Sequence, residues 1–462
     1  MIHLEHDGLR LCDGVTRREF LRVGGLAPLG LSLPALLQGT AMAESGGGPS
    51  FGKAKRCIQI FLWGGPGAQE TWDMKPEAPL AARGAFKPIR TSVDGLEICE
   101  HLPLMASRAH RYALIRSQAH NGTNHGTGAY HMLTGHIHYD PGTLRRPARK
   151  DMPNWATSAA RFLPHPARLP QCVHIPEPIW DGGVTEVPGQ RPAILGSRHE
   201  PFRVSGDLTR PDFRPDTLRL AAGVNNDRMQ RRNSLLNAVE QRAAFLADSE
   251  PGQELGVYYE KALNLVSSPE AYRAFDLSAE AKPTRDRYGW HWFGQSLVLA
   301  RRLVEAGVPV VTVFWNTPSL VVDESWDTHA DQHRRLKDHI LPAFDRGLAA
   351  LLDDLHERGM LDSTLVTWWG EFGRTPRVNG GGGRDHWGFC QSVGLAGGGV
   401  RGGVVHGSST EDGGYPRTDP VTPDDLTATT FHLLGINHRQ DMYDLEQRPI
   451  PLSLGEVVRP IL

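Results

Sequence analysis

The chain has 462 residues, of which 39% are hydrophobic, and carries a formal net charge of −2. That is apolar material for one large or two ordinary domains, and too much for a disordered chain. The near-zero charge excludes an overall field that would recruit nucleic acid or an anionic membrane.

Thr16–Arg22 reads TRREFLR, an arginine pair ahead of a Phe-Leu pair and a further basic residue. The apolar stretch Val23–Leu37 follows, and Ala41-Met42-Ala43 supplies a small-x-small cleavage pattern. These parts in this order predict a twin-arginine signal peptide over residues 1–43 and a mature chain starting near Glu44. A basic turn ahead of an amphipathic helix would explain the arginines but not the order of the parts. The expected partner is the twin-arginine export machinery, and the expected location is periplasmic or extracellular. The apolar run is too rich in Gly and Pro, and too short, for a membrane span of roughly 20 residues. No later segment reaches that length, so no integral membrane span is expected in the mature chain.

Residues 44–55 are Gly-rich and read as a linker. The α/β domain is expected over 56–462. Five short apolar runs read as buried strands: Cys57–Trp63, Tyr112–Ser117, Pro309–Trp315, Ser363–Trp369 and the run QSVGLAG from Gln391. Helix-period stretches alternate with them. Ser296–Ala306 ends at Gly307, His333–Arg358 at Gly359, and Asp424–Leu434 at Gly435. Strands alternating with helices predict a mostly parallel sheet covered on both faces, with sites in the loops beyond the strand C-termini. Residues 176–286 are Pro- and Gly-rich at first, then polar and helical around Asn225–Asp248; they read as an insertion or cap. Cys57, Cys99, Cys172 and Cys390 are scattered without a CxxC, which disfavours a thiolate zinc site but allows one disulfide in an oxidising compartment.

The loops after these runs concentrate polar residues. They hold Glu70 and Asp73; His120, Asn121, Asn124, His125, His131 and His136; Asp323, Asp327, His329, Asp331 and His333; Glu371 and Arg374; and Arg384, Asp385 and His386. Any one of these histidines is readily explained as a surface or core residue. Clusters at successive strand ends instead suggest a metal or anion site, and mixed carboxylate and imidazole donors suit zinc, iron or manganese. Arg374 and Arg384 offer fork-shaped donors for sulfate, phosphate or carboxylate, or else structural ion pairs with nearby carboxylates.

The segments GGPGAQETWDMKP, NHGTGAYHMLTGH, ARRLVEAGVPVVTV, WDTH, LLDDLHERGMLDSTLVTWWGEFGRTP and GRDHW together resemble the bacterial DUF1501 family, over nearly all of the mature chain. That family looks like a distant branch of the alkaline phosphatase and sulfatase superfamily. The resemblance implies a doubly wound, mostly parallel sheet with helices on both faces, and a metal-assisted ester hydrolase site. Asp327 to His329 or His333 resembles the superfamily's Asp-to-His metal motif, and His386 matches its last histidine. Glu371-Phe372-Gly373 stands where Asp-His-Gly is expected, keeping a carboxylate and losing a histidine. A helix ending Leu133-Thr134-Gly135 puts the nucleophile position on or near His125, where there is no Cys or Ser, although Thr123 and Thr127 are close. Trp63-Gly64 replaces an expected aspartate, with Glu70 or Asp73 as substitutes.

The resemblance therefore implies Asp327, His329, Glu371 and His386 as ligands of a divalent metal, zinc, manganese or iron. His125 or Asp385 would act as base or orient a ligand, and Arg374 would hold the anion. Single-metal activation of water fits better than a covalent nucleophile. The expected substrate is a small anionic ester or a sulfated or phosphorylated polymer. The competing expectation is an exported binding or scaffold protein that keeps the fold without turnover.

Overall fold

The computed structural model describes residues 48–462 except 139–145, 177, 183–184, 317–321 and most of 216–267. The expected signal peptide and, apart from residues 228 and 231, the helical stretch Asn225–Asp248 lie outside the described residues.

Eight strands form one sheet: β1 (Arg56–Phe61), β2 (Tyr112–Gln118), β3 (Cys172–Ile175), β4 (Phe202–Arg203), β5 (Val310–Phe314), β6 (Thr364–Trp369), β7 (Gln391–Ala396) and β8 (Val405–His406). Their order across the sheet is β8-β2-β7-β6-β1-β5-β3-β4. All five apolar runs are in it. β1 pairs in parallel with β6 on one side and β5 on the other. β7 alone is reversed, pairing antiparallel with both β6 and β2.

The central strands are continuous apolar runs because both faces are covered. Ile58, Ile60, Val311, Val313, Val366 and Trp368 face one core. Cys57, Phe61, Val310, Phe314, Leu365 and Trp369 face the other. Helices α1 (His125–Thr134), α2 (Trp155–Ala160) and α5 (Pro423–Leu433) supply apolar residues to the second core. Helices α3 (Trp292–Ala306) and α4 (Leu341–Glu357) do so for the first. The result is a mostly parallel α/β sheet with helices on both faces.

Helix ends follow the local chemistry. Gly307 and Gly135 take the left-handed conformation that closes α3 and α1. Thr422 and Asp425 form a reciprocal capping box that starts α5. The helix expected from His333 begins at Gln332 and contains a π turn, Leu336–Ile340, before α4. Pro342 is the physical cause: it has no N–H for the carbonyl four residues back, so the preceding turn widens.

The segment read as an insertion is joined to the domain at both ends. Phe202–Arg203 extends the sheet beside β3, and the helices Pro269–Phe275 and Lys282–Tyr288 pack on α3. Buried Arg301 of α3 pairs with Glu280 and with Asp354 of α4, tying these helices together. The four described cysteines are buried and free, so the allowed disulfide is not formed. Among the described residues, no helix is long and apolar enough to cross a membrane.

The reversed strand meets β6 where Gly394 faces Trp368. A Cβ at Gly394 would lie 2.1 Å from the Trp368 ring, which is itself buried. Gly394→Ala is expected to lower stability by about 1–3 kcal/mol through overpacking. Urea unfolding would read this, and an unchanged midpoint would contradict the tight seam.

A candidate metal centre at the strand ends

Parallel strands deliver their C-terminal ends to one edge of a sheet, and the loops beyond them share that edge. Gly64 follows β1, the segment running into α1 follows β2, Trp326–His329 lies beyond β5, and Glu371 follows β6. His386 precedes β7; because β7 is reversed, its N-terminal approach arrives at the same edge. A two-residue ladder, Gly373–Arg374 with His386–Trp387, locks the last two loops together. At Gly64 the backbone approach is so close that a Cβ would sit 2.3 Å from Asp327 N. Its φ of 112° adds a second reason for glycine.

Asp327 is the meeting point. His125 Nε2 lies 3.3 Å from its Oδ2, and His386 Nε2 and His329 Nε2 lie 3.2 and 3.1 Å from its Oδ1. Arg374 contacts the same Oδ1 at 2.6 Å. The far nitrogen of each ring is anchored. His125 Nδ1 is 2.6 Å from Glu371 Oε1, His329 Nδ1 is 2.7 Å from Asp385 Oδ1, and His386 Nδ1 is 3.1 Å from Thr123 O. Those oxygens only accept, so each Nδ1 carries hydrogen, and the Nε2 atoms face inward. His329 Nε2 and His386 Nε2 are 2.9 Å apart, a separation that two lone pairs tolerate only with a proton or a metal between them.

These are the requirements of a metal centre. His125, Asp327 and His386 each offer a ligand atom, and all these atoms lie within 4.8 Å of one another. His329 adds a third nitrogen, and a fourth donor, from the solvent side. Carboxylate or carbonyl oxygens on the far ring nitrogen are the usual outer support of metal-bound histidine. The residues present thus fit a divalent cation, with imidazole and carboxylate donors that suit zinc, manganese or iron.

The electrostatics agree with a site built to concentrate charge. Burial acts to lower the His125 pKa, but hydrogen bonds to Asp327 and Glu371 outweigh it and raise the value to about 9. Burial acts to raise that of Asp327, yet hydrogen bonds from His125 and His386 and the Arg374 charge hold the carboxyl far below its ordinary range. The His329 hydrogen bond also lowers the more exposed Asp385.

All seven residues singled out from the sequence gather here, in arrangements that differ from those implied. Both Glu371 oxygens accept from Gly64 N, at 2.9 and 3.2 Å, and Oε1 also holds His125, so this carboxylate lies behind the ligand shell. Arg374 is fully buried; it donates to the carbonyls of Gly64, Gly65, Trp326 and Arg384 as well as to Asp327. Arg384 is equally buried and pairs with Glu70 at 2.6 Å. Neither guanidinium is open to an anion; both are structural.

Other expected residues lie elsewhere. His131 pairs with Asp424, His136 reaches Leu452 O, and His333 accepts from Ala85 N. Asp73 bonds Ser409 and Lys75, and Asp323 pairs with Arg334. Three contributors escaped the sequence reading. Trp63 lies 4.6 Å from the His125 ring, Phe372 lies 4.5 Å from His386, and Asn379 bonds Asp385. Trp63 stands where the resemblance expects an aspartate and Phe372 where it expects a histidine, so position rather than residue type was their signal, and Asn379 in its glycine run gave none.

Fold and site together define an α/β protein with a candidate His/Asp metal centre at the edge of a mostly parallel sheet. The chain belongs to the family described as "Protein of unknown function (DUF1501)", which matches residues 54–462. No curated protein matches it by sequence. Among solved structures it is similar to Ps i-CgsB in complex with k-i-k-neocarrahexaose, at 13% identity and TM-score 0.40, covering 88% of this chain and 75% of that one. It is similar to the PsFucS1 sulfatase from Pseudoalteromonas sp. at 12% identity and TM-score 0.39, covering 91% and 74%. A TAB5 alkaline phosphatase mutant with Mg bound matches at 11% identity and TM-score 0.37, covering 77% and 95%. Likeness of this degree leaves the functional argument to the chain's own residues.

Proposed function

We propose that the chain is an exported, metal-dependent hydrolase of sulfate or phosphate esters that works through one divalent cation and water. The observation that carries this reading is the inward convergence of three Nε2 atoms on Asp327, with each Nδ1 anchored to an oxygen. Asp327, His125 and His386 would hold the cation, with His329 as a further donor. His125 thereby takes the ligand role first given to Glu371, and Glu371 orients it.

Bound there, the cation would supply the positive charge for a sulfuryl or phosphoryl oxygen and bring the pKa of water to about 7. Arg374 fixes Asp327 and the surrounding loop backbones. Asp385 holds His329 with its Nε2 toward the cluster. Phe372 and Trp63 give the deep side an apolar wall that limits water there. Among the described residues, neither nearby threonine is placed as a nucleophile: the Thr127 hydroxyl donates to Asn124 O, and Thr123 contributes its carbonyl to His386. Water is therefore the attacking group.

A second reading has its own support. Asp327 already accepts from Arg374, and protons on the histidines can close the cluster without a cation. A binding or scaffold protein that keeps the fold without turnover would look the same in this respect.

Calorimetric titration separates the two. The purified mature chain should take up one equivalent of Zn²⁺ or Mn²⁺. His386→Ala should abolish uptake, and Glu371→Gln should weaken it by about 10–100-fold, as expected for an outer-shell partner. A wild-type chain that takes up neither metal, and cleaves neither nitrophenyl sulfate nor nitrophenyl phosphate, would favour the scaffold.

Export by the twin-arginine route rests on TRREFLR and the segments that follow it. Replacing Arg17 and Arg18 together by Lys should leave the full chain in the cytoplasm on cell fractionation. Undiminished accumulation outside the cytoplasm would count against that route.

A further inference from the structure

Asn379 opens the run Asn379–Gly383, NGGGG, directly before Arg384, Asp385 and His386. Its side-chain amide is fully used. Oδ1 accepts from Gly381 N at 2.9 Å and Gly383 N at 3.1 Å. Nδ2 donates to His329 O at 3.0 Å and to Asp385 Oδ1 at 3.1 Å. Two acceptor pairs and two donor hydrogens are all that this amide has.

The two halves of the amide do different things. The acceptor half closes the glycine turn. That turn is zipped to the segment after β5: Asp331 N donates to Gly381 O, Gln332 N to Gly382 O, and Arg384 N to Thr328 O. A Cβ at Gly383 would lie 2.2 Å from the His329 carbonyl carbon, so the two backbones are pressed together. The donor half grips both ends of a second link, the His329 backbone and the Asp385 carboxylate that holds His329 Nδ1.

The side chain of Asp385 is 56% exposed and that of His329 43% exposed, so packing alone does not fix either. An exposed carboxylate would turn among rotamers and hydrate. Nδ2 of Asn379 is the second donor on Asp385 Oδ1 and leaves one oxygen aimed at the ring.

We propose that Asn379 is a positioning residue that orients His329 through Asp385 and thereby sets the fourth donor of the metal centre. This rests on the reading of His329 as a donor. It makes the glycine run part of the site's outer support rather than a connector.

Asn379→Asp tests the donor half alone. The variant keeps oxygen acceptors for Gly381 N and Gly383 N, so the turn persists. It loses both donated bonds and sets a second carboxylate against Asp385. Its Zn²⁺ affinity should fall by about 10–100-fold. Asp385→Ala should cause a similar loss. Because His329 Nδ1 and Asn379 Nδ2 share the one acceptor Asp385 Oδ1, Asn379→Asp should cost little more once Asp385 is already Ala. Such a shortfall from additivity is what a merely structural role would not produce. Unchanged affinity in Asn379→Asp, or losses that simply add in the double variant, would overturn the proposal.

Ring ¹⁵N resonances of His329 in the metal-free proteins give an independent reading. They should move in Asn379→Asp, and that substitution should move them no further once Asp385 is Ala. If they do not move, the proposal fails whether or not zinc binds. If they move only while Asp385 is present and wild type takes up no zinc, Asn379 still positions the ring, and the metal reading fails instead.

Discussion

One carboxylate, Asp327, holds the loop edge of this sheet together. It receives Arg374 from the loop after β6, His125 from the start of α1, and His386 from the approach to β7, while His329 reaches it from two residues away. Three other chain segments converge on it, and each, like its own segment, brings a positive or proton-bearing group. A partly buried carboxylate without such partners would have its pKa raised. The partners hold Asp327 ionised, and the Nε2 atoms they bring are those that a cation would need.

Behind this carboxylate stands a layer of committed charge. Arg374 gathers the carbonyls of Gly64, Gly65, Trp326 and Arg384, while Arg384 and Glu70 neutralise one another out of contact with solvent. Removing one member of such a pair strands the other, which is far more costly than never having had the pair. The two arginines therefore act as fasteners between loops, and under the proposed function the positive charge for an anionic substrate would come from a bound cation. Exposure rises outward: Glu371 and Arg374 are sealed, His125 and His386 line the interior, and His329 and Asp385 face solvent.

Much of the fold was legible because strands buried on both faces leave continuous apolar runs, as in Cys57–Trp63 and Ser363–Trp369. Three strands left no such trace. β3 is short and includes His174, β4 has only two residues in a Pro-rich stretch, and β8 has only two residues. The reversal of β7 was invisible because periodicity carries no direction. In the site, polar density picked out the right loops, since each must supply donors at one edge. Roles were harder to read. Whether Glu371 faces the cluster or stands behind His125 depends on Gly64 N, which belongs to a loop some 300 residues earlier in the chain. Arg374 looked like an anion clamp because a sequence does not display the carbonyls that surround it.

The central claim is that the three inward Nε2 atoms and Asp327 enclose a divalent cation. X-ray anomalous scattering from crystals of the purified mature protein, measured across the zinc, iron and manganese edges, tests it most directly. The account predicts a single peak bounded by His125 Nε2, His386 Nε2 and Asp327, with His329 beside it. A cluster closed by hydrogen bonds alone, with no anomalous peak even after soaking in each metal, would contradict it.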